Sequence, residues 1–362
     1  MRILYLTTSL ERNVFDSFVN GGRKLNPAGQ NFHGKMIEAL KMQDDVEVIS
    51  LLPFPSIALK GNYHYVQPIG NKILKLLFQP KKIIEATHGV DFDVIVYDSL
   101  NVSLAKAAKK LAKQKQRKRI AILTDNPYNI TGVNSTYCKN VISLSKDADG
   151  YFALSKGLFD AFSSKKDAPC LIKKGVVREP SKKKLKLEPY IYFGGALYSR
   201  YGVDKLINAY NEAKPPYKLL IAGHGQLKDL IIEEDKKEAG IKFLGQLNEE
   251  DNRIYQSNAS ILVNPRPYEE ELERNSIPSK MLEYLSSGKK IISGPNKALE
   301  EEFGESLNII NGDIGEGLIK IFSSLKGKDE LKENTSKDDV LNKYGLKAIS
   351  DEFHHFLEAF IK

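Results

Sequence analysis

The sequence lacks tryptophan, contains only two cysteines and has no long apolar run, and each absence excludes a class of protein. Cys138 and Cys170 are too few for a disulfide framework, and neither has a metal-binding neighbour at the usual spacing. No run approaches the ~20 apolar residues that span a membrane, and the N-terminus becomes polar too early for a secretory signal. We therefore expect a cytoplasmic protein with reduced thiols and no transmembrane segment.

Acidic residues are absent from residues 99–124, a stretch that contains eight lysines and arginines. The whole chain has 54 Lys and Arg against 46 Asp and Glu, a net charge of +8. A second basic stretch, residues 71–84, mixes lysine with apolar residues. Such stretches form either a solvated helix face or a basic amphipathic surface that attaches peripherally to the anionic inner face of a membrane. Nucleic acid is not an expected partner, because neither a binding motif nor interleaved aromatic residues accompany the charge.

Apolar strand-like runs alternate with helical patterns along the chain, which predicts an α/β protein with parallel sheets covered on both faces. The predicted strands are residues 3–6, 46–51, 94–97, 120–123, 151–154, 190–193, 218–222, 241–244, 260–263 and 290–292. The predicted helices are residues 30–41, 72–86, 102–113, 202–211, 227–237, 248–257 and 279–287.

The chain is long enough for roughly two domains of the usual size. In residues 173–189, Lys, Pro and Glu replace the apolar residues, and this composition is typical of a linker. We therefore predict a first domain at residues 1–172 and a second at residues 190–343. Residues 344–362 have apolar positions at helical spacing and are predicted to form an amphipathic C-terminal helix packed on a finished domain.

The stretch after the strand at 260–263 carries the strongest functional signal. A proline-rich polar loop leads to a helix that begins near Pro278, with Ser276 and Ser279 as candidate caps. Free N–H groups and the dipole at such a helix start favour an anion. Arg266, Lys280 and Glu283 lie in the same stretch. Cations beside a carboxylate suit a ligand with hydroxyls next to phosphates, which describes a nucleotide sugar.

The first half offers a second candidate ligand contact after its first strand. We predict a loop at residues 8–29, followed by a helix that starts at Gly29–Gln30. Gly22 and Gly29 would let the backbone of this loop approach a ligand closely. Ligands of open α/β sheets bind at the carboxyl ends of the strands, so both halves place their candidate residues at the expected edge.

In their order and spacing, these motifs resemble those of the GT-B-fold glycosyltransferases, and most closely the retaining family 4 (glycosyl transferases group 1). The motifs are the glycine loop after the first strand, 192–204 (YFGGALYSRYGVD), 220–225 (LIAGHG), 243–245 (FLG) and 275–288, which is followed by 290–292 (KII). The resemblance implies two Rossmann-like, doubly wound parallel-sheet domains that face each other across a cleft, with the C-terminal helix crossing back to the first. It also implies a nucleotide-sugar-dependent hexosyltransferase of glycan or polysaccharide biosynthesis.

The resemblance also assigns roles to residues of the second domain. In the family, the second glutamate of a Glu–seven residues–Glu motif binds the ribose, and here that position is Glu283, whereas Asn275 replaces the first glutamate. Ala196 stands where the family has an arginine, and Tyr201 stands near the position of its lysine. The implied donor-binding residues are Gly22, Gly29, Gly195, Gly225, Gly245, Asn275, Ser276, Ile277, Pro278, Ser279 and Glu283.

The implied catalytic residues are cations that stabilise the leaving diphosphate, namely Arg200, Arg266 and Lys280, with Asp125 at the place of a family histidine near the transferred sugar. No cofactor or metal is expected. Asp91 and Asp93 have the spacing of a metal site, but they precede a strand and so lie at the wrong edge of the sheet.

The predicted function is transfer of a sugar, with retention, from a nucleotide sugar, with a UDP-sugar favoured. The acceptor is a glycan, a lipid-linked precursor or a protein glycan. Two alternatives stay open: a degenerate GT-B protein that serves as the partner subunit of a transferase, and a nucleotide-sugar epimerase of the same fold.

Overall fold

The computed structural model describes residues 1–23, 25, 27–56, 59, 61–130, 132–268, 278–327 and 331–361. The predicted donor residues Asn275, Ser276 and Ile277 lie outside these ranges. By its internal contacts the chain divides into two compact units, Met1–Val176 with Leu346–Lys362 (unit 1) and Val177–Gly345 (unit 2).

Unit 1 is built on a parallel sheet that has seven strands in the described part of the chain. The strands are β1 (Arg2–Thr7), β2 (Asp45–Leu51), β3 (His64–Val66), β4 (Val94–Asp98), β5 (Lys118–Leu123), β6 (Gly150–Ala153) and β7 (Cys170–Ile172). They lie in the order β3-β2-β1-β4-β5-β6-β7. The five strands predicted for this half are confirmed, whereas the three-residue edge strands β3 and β7 were not predicted.

Helices cover both faces of this sheet, as its continuously buried strands require. The helices are α1 (Arg12–Asn20), α2 (Pro27–Leu40), α3 (Lys72–Glu85), α4 (Val102–Lys115), α5 (Ser135–Ser145) and α6 (Lys156–Phe162). One face packs against α3 to α6, with Leu104 and Leu111 of α4 in its core. The other face packs against α2 and the C-terminal helix Leu346–Ile361, which buries Phe353 and Leu357.

The prediction of a loop at residues 8–29 was wrong, because α1 lies within it. Val14 and Phe18 are spaced for one helix face and pack with Leu10 and Leu52. The helix ends at Asn20, and Gly22, two residues later, has a φ of +78° and donates its N–H to Val19 O at 3.0 Å. Gly22 therefore caps a helix here. Helix α2 begins at Pro27, two residues before the predicted start.

Unit 2 repeats the strand order of unit 1. Its strands are β8 (Tyr190–Ala196), β9 (Lys218–His224), β10 (Ile241–Phe243), β11 (Ile261–Asn264), β12 (Lys290–Ser293) and β13 (Asn308–Ile309). They lie parallel in the order β10-β9-β8-β11-β12-β13. In both units the order reverses between the first and fourth strands, which is the doubly wound arrangement. The predicted fold class of two Rossmann-like parallel-sheet domains is confirmed.

Helices also cover both faces of the second sheet. They are α7 (Val203–Ala213), α8 (Lys228–Lys236), α9 (Glu249–Asn258), α10 (Ser279–Ser286), α11 (Lys297–Phe303), α12 (Ile314–Ser324) and α13 (Lys337–Tyr344). Helices α7 and α12 pack on one face through residues such as Leu206 and Phe322. Helices α10, α11 and α13 pack on the other, where Leu282 and Leu285 are fully buried.

The lysine-rich segment before β8 is fastened to unit 2. Ser181 donates its backbone N–H to Ser257 Oγ at 2.8 Å, and Leu185 donates its own to Asn258 Oδ1 at 3.0 Å. Asn258 also donates to the carbonyl oxygen of Lys183 at 2.8 Å. The composition of residues 173–189 is that of a linker, but much of this segment is bound along the end of α9.

Candidate functional site

The centre of the candidate site is the point in unit 2 where β8 and β11 separate. Their ladder ends at the pair Leu262↔Tyr192. Strand β8 continues along β9 as far as Ala196, and β11 continues along β12 as far as Asn264. The two carboxyl ends therefore diverge where the strand order reverses, and such a crevice is where doubly wound sheets bind ligands.

Near the end of β8 in this crevice, residues 194 and 195 are glycines and add no side chains. A Cβ atom added at Gly194 would lie 2.5 Å from Asn252 Oδ1 and 2.8 Å from the Tyr192 hydroxyl oxygen. The Gly194 N–H donates to the hydroxyl oxygen of Tyr284 at 3.2 Å. Gly194 is thus required by packing, whereas Gly195 is half-buried at the crevice itself.

Lys280 occupies the space beside Gly195. Its Nζ lies 3.6 Å from the position of a Cβ atom at Gly195 and 4.4 Å from the centroid of the Phe193 ring. Burial, and then the positive charge of Arg266, lower the pKa of Lys280 to about 7, and the negative charge of Glu283 opposes this shift. The negative charge near Lys280 is therefore too small to stabilise its ammonium form fully. A bound anion would provide the missing negative charge.

Helix α10 presents its N-terminus to this region, as predicted. Its N-cap residue is Pro278, with φ −56° and ψ 127°, whose own side chain makes no capping hydrogen bond. The prediction of Ser279 as a cap was wrong, because Ser279 is the first helical residue and is exposed. Within the described residues, no capping side chain takes the backbone N–H groups of this first turn, and the candidate cap Ser276 lies outside them.

Two arginines flank one aromatic ring at the edge of the crevice. The guanidinium carbon of Arg200 lies 4.8 Å from the centroid of the Tyr201 ring, and that of Arg266 lies 5.2 Å from it. Gly202, which follows Tyr201, leaves no room for a side chain, because a Cβ atom there would overlap the carbonyl oxygen of Pro265. This close approach brings the turn after β8 against the loop after β11. Arg200 and Arg266 therefore place two positive charges next to Tyr201 at this edge.

Glu283 lies one turn into α10 and is half-buried. Its charge acts on Lys280, and it adds to the effect of burial in raising the pKa of Tyr192 and of Tyr284. The carboxylate of Glu283 therefore lies close to the cations of the site, but it does not cancel their combined positive charge.

Two other glycines predicted to contact the donor, Gly225 and Gly245, differ in their surroundings. A Cβ atom at Gly225 would lie 2.6 Å from the carbonyl oxygen of Leu197, and one at Gly223 would overlap the carbonyl oxygen of Gly195. These two positions are glycine because β9 passes close to the end of β8. Gly245 has no atom within 4 Å of a Cβ position, so its surroundings leave space for a ligand.

The corresponding edge of unit 1 holds a cluster of titratable groups. Asp98 ends β4, and its Oδ2 lies 3.7 Å from His33 Nε2, while the Tyr5 hydroxyl lies 2.8 Å from His33 Nδ1. Burial lowers the pKa of His33 against the opposing effect of Asp98. Asp125, after β5, is exposed as a residue, but desolvation of its carboxyl group and then the charge of Asp98 raise its pKa.

The sequence of unit 2 matches a family model, and the structure of the whole chain matches solved structures. Residues 177–337 match the model described as Glycosyl transferases group 1. Sucrose-phosphate synthase from Thermosynechococcus elongatus has a TM-score of 0.65 at 15% identity, over 99% of each chain. HepE of Anabaena, solved with UDP, has a TM-score of 0.66 at 15% identity, over 99% of this chain and 100% of its own. No curated protein matches the sequence significantly.

Residues 177–337 thus carry a glycosyl transferases group 1 domain. At these identities the solved structures show the fold alone. The same fold also includes a putative UDP-N-acetylglucosamine 2-epimerase from Listeria monocytogenes, with a TM-score of 0.63 at 12% identity, over 99% of this chain and 96% of its own. The reaction, donor and acceptor of this protein must therefore be argued from its own residues.

The structure adds functional candidates that the sequence did not single out. Tyr201, between two arginines, was noted only as the replacement for a family lysine. Asp98 and His33 meet because β4 is the neighbour of β1, and strand order cannot be read from either residue. The signal available for Asp98 was its position at the end of an apolar strand.

The remaining predicted residues lie in unit 1 or outside the candidate site. Gly29 is exposed in the first turn of α2, with no atom within 4 Å of a Cβ position. Asp91 and Asp93 both pair with Arg2, the latter at 2.8 Å, so they are not merely solvated. Among the described residues, no group of three or more His, Cys, Asp or Glu is arranged to hold a metal ion. Within the same part of the chain, no helix is both long and apolar enough to cross a membrane.

Proposed function

We propose that this protein is a glycosyltransferase that takes its sugar from a nucleoside diphosphate sugar bound at the carboxyl edge of the sheet in unit 2. The observation that carries this proposal is Lys280, whose ammonium group lies beside Gly195 where β8 and β11 diverge. The negative charge of a diphosphate there would stabilise the ammonium form of Lys280, which burial and the charge of Arg266 destabilise. A UDP-sugar is the favoured donor, in keeping with HepE, which has been solved with UDP and with UDP-glucose.

The three cations, Lys280, Arg200 and Arg266, have two different roles toward the diphosphate. The side chain of Lys280 and the backbone N–H groups of Ser279 and Lys280 bind the phosphates at the start of α10. Asn275, Ser276 and Ile277, which lie outside the described residues, belong to the same proposed segment. Arg266 and Arg200 stabilise the negative charge that develops as the sugar departs. In this proposal the three cations neutralise the charge of the diphosphate, a role that a metal ion has in other transferases. The reaction therefore requires no metal.

Glu283 is proposed to accept hydrogen bonds from the ribose hydroxyls. It lies on the same turn of α10 as Lys280, so one helix positions both the ribose and the phosphates. The acceptor, a glycan, a lipid-linked precursor or a protein glycan, is proposed to bind at unit 1, with Asp125 close to the transferred sugar. Transfer is proposed to retain the anomeric configuration by front-face displacement.

The experiment is nucleotide binding combined with a panel of donors. Glu283→Ala should weaken nucleoside diphosphate binding roughly tenfold to hundredfold, because hydrogen bonds to a charged group contribute about 1.5–3 kcal/mol. A 2′,3′-dideoxynucleotide should bind wild type and Glu283→Ala with equal affinity, since the partner hydroxyls are gone. Glu233→Ala, at an exposed position on α8, is the matched control and should change neither affinity.

Donor turnover then decides between this proposal and its alternatives. Release of nucleoside diphosphate from one sugar nucleotide, with a product of retained configuration by NMR, would support the transferase. Binding without turnover of any donor or acceptor would favour a partner subunit, a reading motivated by Ala196 and Asn275. Interconversion of the free nucleotide sugar would identify an epimerase. Loss of dideoxynucleotide affinity in Glu283→Ala would overturn the ribose assignment.

A further inference from the structure

The first two turns of α3 expose apolar side chains to an unusual degree. Ile73, Leu74, Leu76, Leu77 and Phe78 (the α3 patch) are exposed by 71%, 46%, 50%, 62% and 51%. Burial begins only at Gln79, Pro80 and Ile83. Leu74, Leu77 and Phe78 are three or four residues apart and share one helix face, so the exposed groups are contiguous. Contiguous apolar surface on a soluble unit marks an interaction site.

Positive charge surrounds the α3 patch. Lys72, Lys75, Lys81 and Lys82 lie on the same helix and are exposed, whereas Glu85 is its one acidic residue and lies 3.7 Å from Lys81. No ion pair to Lys72, Lys75 or Lys82 is present in the described part of the chain. Helix α4, which packs against α3, adds further exposed lysines at its outer positions.

The α3 patch is held in place at one edge of unit 1. Gln79 accepts the backbone N–H of Ile69 at 2.7 Å and donates to the carbonyl oxygen of Gln67 at 3.2 Å, which fixes the helix to the chain that leaves β3. Because β3 is parallel to its neighbours, a helix that follows it starts at the carboxyl edge of the sheet. The patch therefore belongs to the same edge as Asp98 and Asp125.

We propose that the α3 patch and its lysines dock this protein on an anionic membrane surface. Apolar side chains on one face would enter the acyl boundary while the flanking lysines contact anionic headgroups, a combination that binds more strongly than either part alone. The charge complementarity selects a lipid surface over an apolar protein groove, which would leave the lysines uncompensated. Docking would place the acceptor-side edge of unit 1 next to the bilayer, which suits an acceptor that is itself lipid-linked.

The test is sedimentation of the full chain with vesicles of phosphatidylcholine alone or mixed with phosphatidylglycerol. Binding should require the anionic lipid and should weaken as salt is raised. Leu77→Glu combined with Phe78→Glu should lower the partition coefficient more than tenfold. Lys72→Gln and Lys75→Gln should each lower it roughly fivefold. Met42→Glu, at a side chain 50% exposed elsewhere in unit 1, is the matched control and should bind like wild type.

Three results would overturn the proposal. These are absence of binding to either vesicle, equal binding to both, and binding unaffected by the paired glutamate substitutions. Light scattering tests the protein-interface alternative: self-association that disappears in the paired variant, without vesicle binding, would assign the patch to contacts between copies. Because the substituted side chains are exposed, unchanged circular dichroism and melting should accompany every variant.

Discussion

The pKa of Lys280 leads to a specific pH dependence of nucleotide binding. In the free protein this pKa is about 7, lowered by burial and by Arg266. A bound diphosphate would favour the ammonium form and raise the pKa again. Affinity should therefore be greatest below pH 7, where Lys280 is protonated with or without ligand. It should fall as the pH rises through 7, because binding then requires proton uptake.

The size of the effect follows from that value. Above the free pKa and below the bound pKa, affinity falls roughly tenfold for each pH unit. Binding should thus be roughly a hundredfold weaker at pH 9 than at pH 6. At pH 8 each binding event should take up nearly one proton, so the calorimetric heat should change with the ionisation enthalpy of the buffer.

The assay compares wild type with Lys280→Arg from pH 6 to pH 9. Arginine stays charged over this range, so the ratio of the two dissociation constants cancels any titration of the nucleotide itself. That ratio should change steeply above pH 7, and Lys280→Met should bind weakly at every pH. If the affinities of wild type and Lys280→Arg changed with pH in the same way, the charge of Lys280 would not contribute to phosphate binding.

Three further predictions concern other parts of the structure. Gly223→Ala should lower the free energy of unfolding by about 2–4 kcal/mol, because its Cβ atom would overlap the carbonyl oxygen of Gly195. Gly245→Ala has open space around its Cβ atom but a φ of +72°, and should lower the free energy of unfolding by about 1 kcal/mol. Equal denaturation midpoints for the two variants would contradict this prediction. Arg266→Ala should reduce kcat by roughly 10²–10³ with little change in nucleotide affinity, and equal losses in both would indicate ordinary ground-state binding. Asp125→Asn should slow transfer to acceptor while leaving nucleoside diphosphate affinity within about twofold of wild type, and a loss of that affinity would place Asp125 on the donor instead.

The fold was predictable wherever apolar runs were long. Strands such as β1 and β9 are buried over several residues and stand out in the sequence, so the two-sheet architecture followed. Strands β3 and β13 were missed because an edge strand of two or three residues has no periodicity to read. Helix α1 was missed because the glycines at its end were interpreted as loop residues. Its signal was present in the spacing of Val14 and Phe18.

The candidate site was predictable in its charges and less so in its geometry. The sequence placed Arg266, Lys280 and Glu283 together because they are close along the chain. It could not show the divergence of β8 from β11, which depends on pairing between distant segments. The contact of Asp98 with His33 was hidden for the same reason, and only strand order reveals it.

Unit 2 is an insertion within unit 1, and its two ends meet. Val177 donates its N–H to the carbonyl oxygen of Tyr344 at 2.8 Å, and Val177 and Gly345 form a parallel bridge. When the two ends of an inserted domain lie next to each other, the domain keeps most of its own contacts after it is removed from the rest of the chain. A fragment of residues 177–345 should therefore fold by itself and be exchangeable between relatives as a cassette. A fragment begun at residue 190 would lack the hydrogen bonds to Ser257 and Asn258 and should be the less stable of the two.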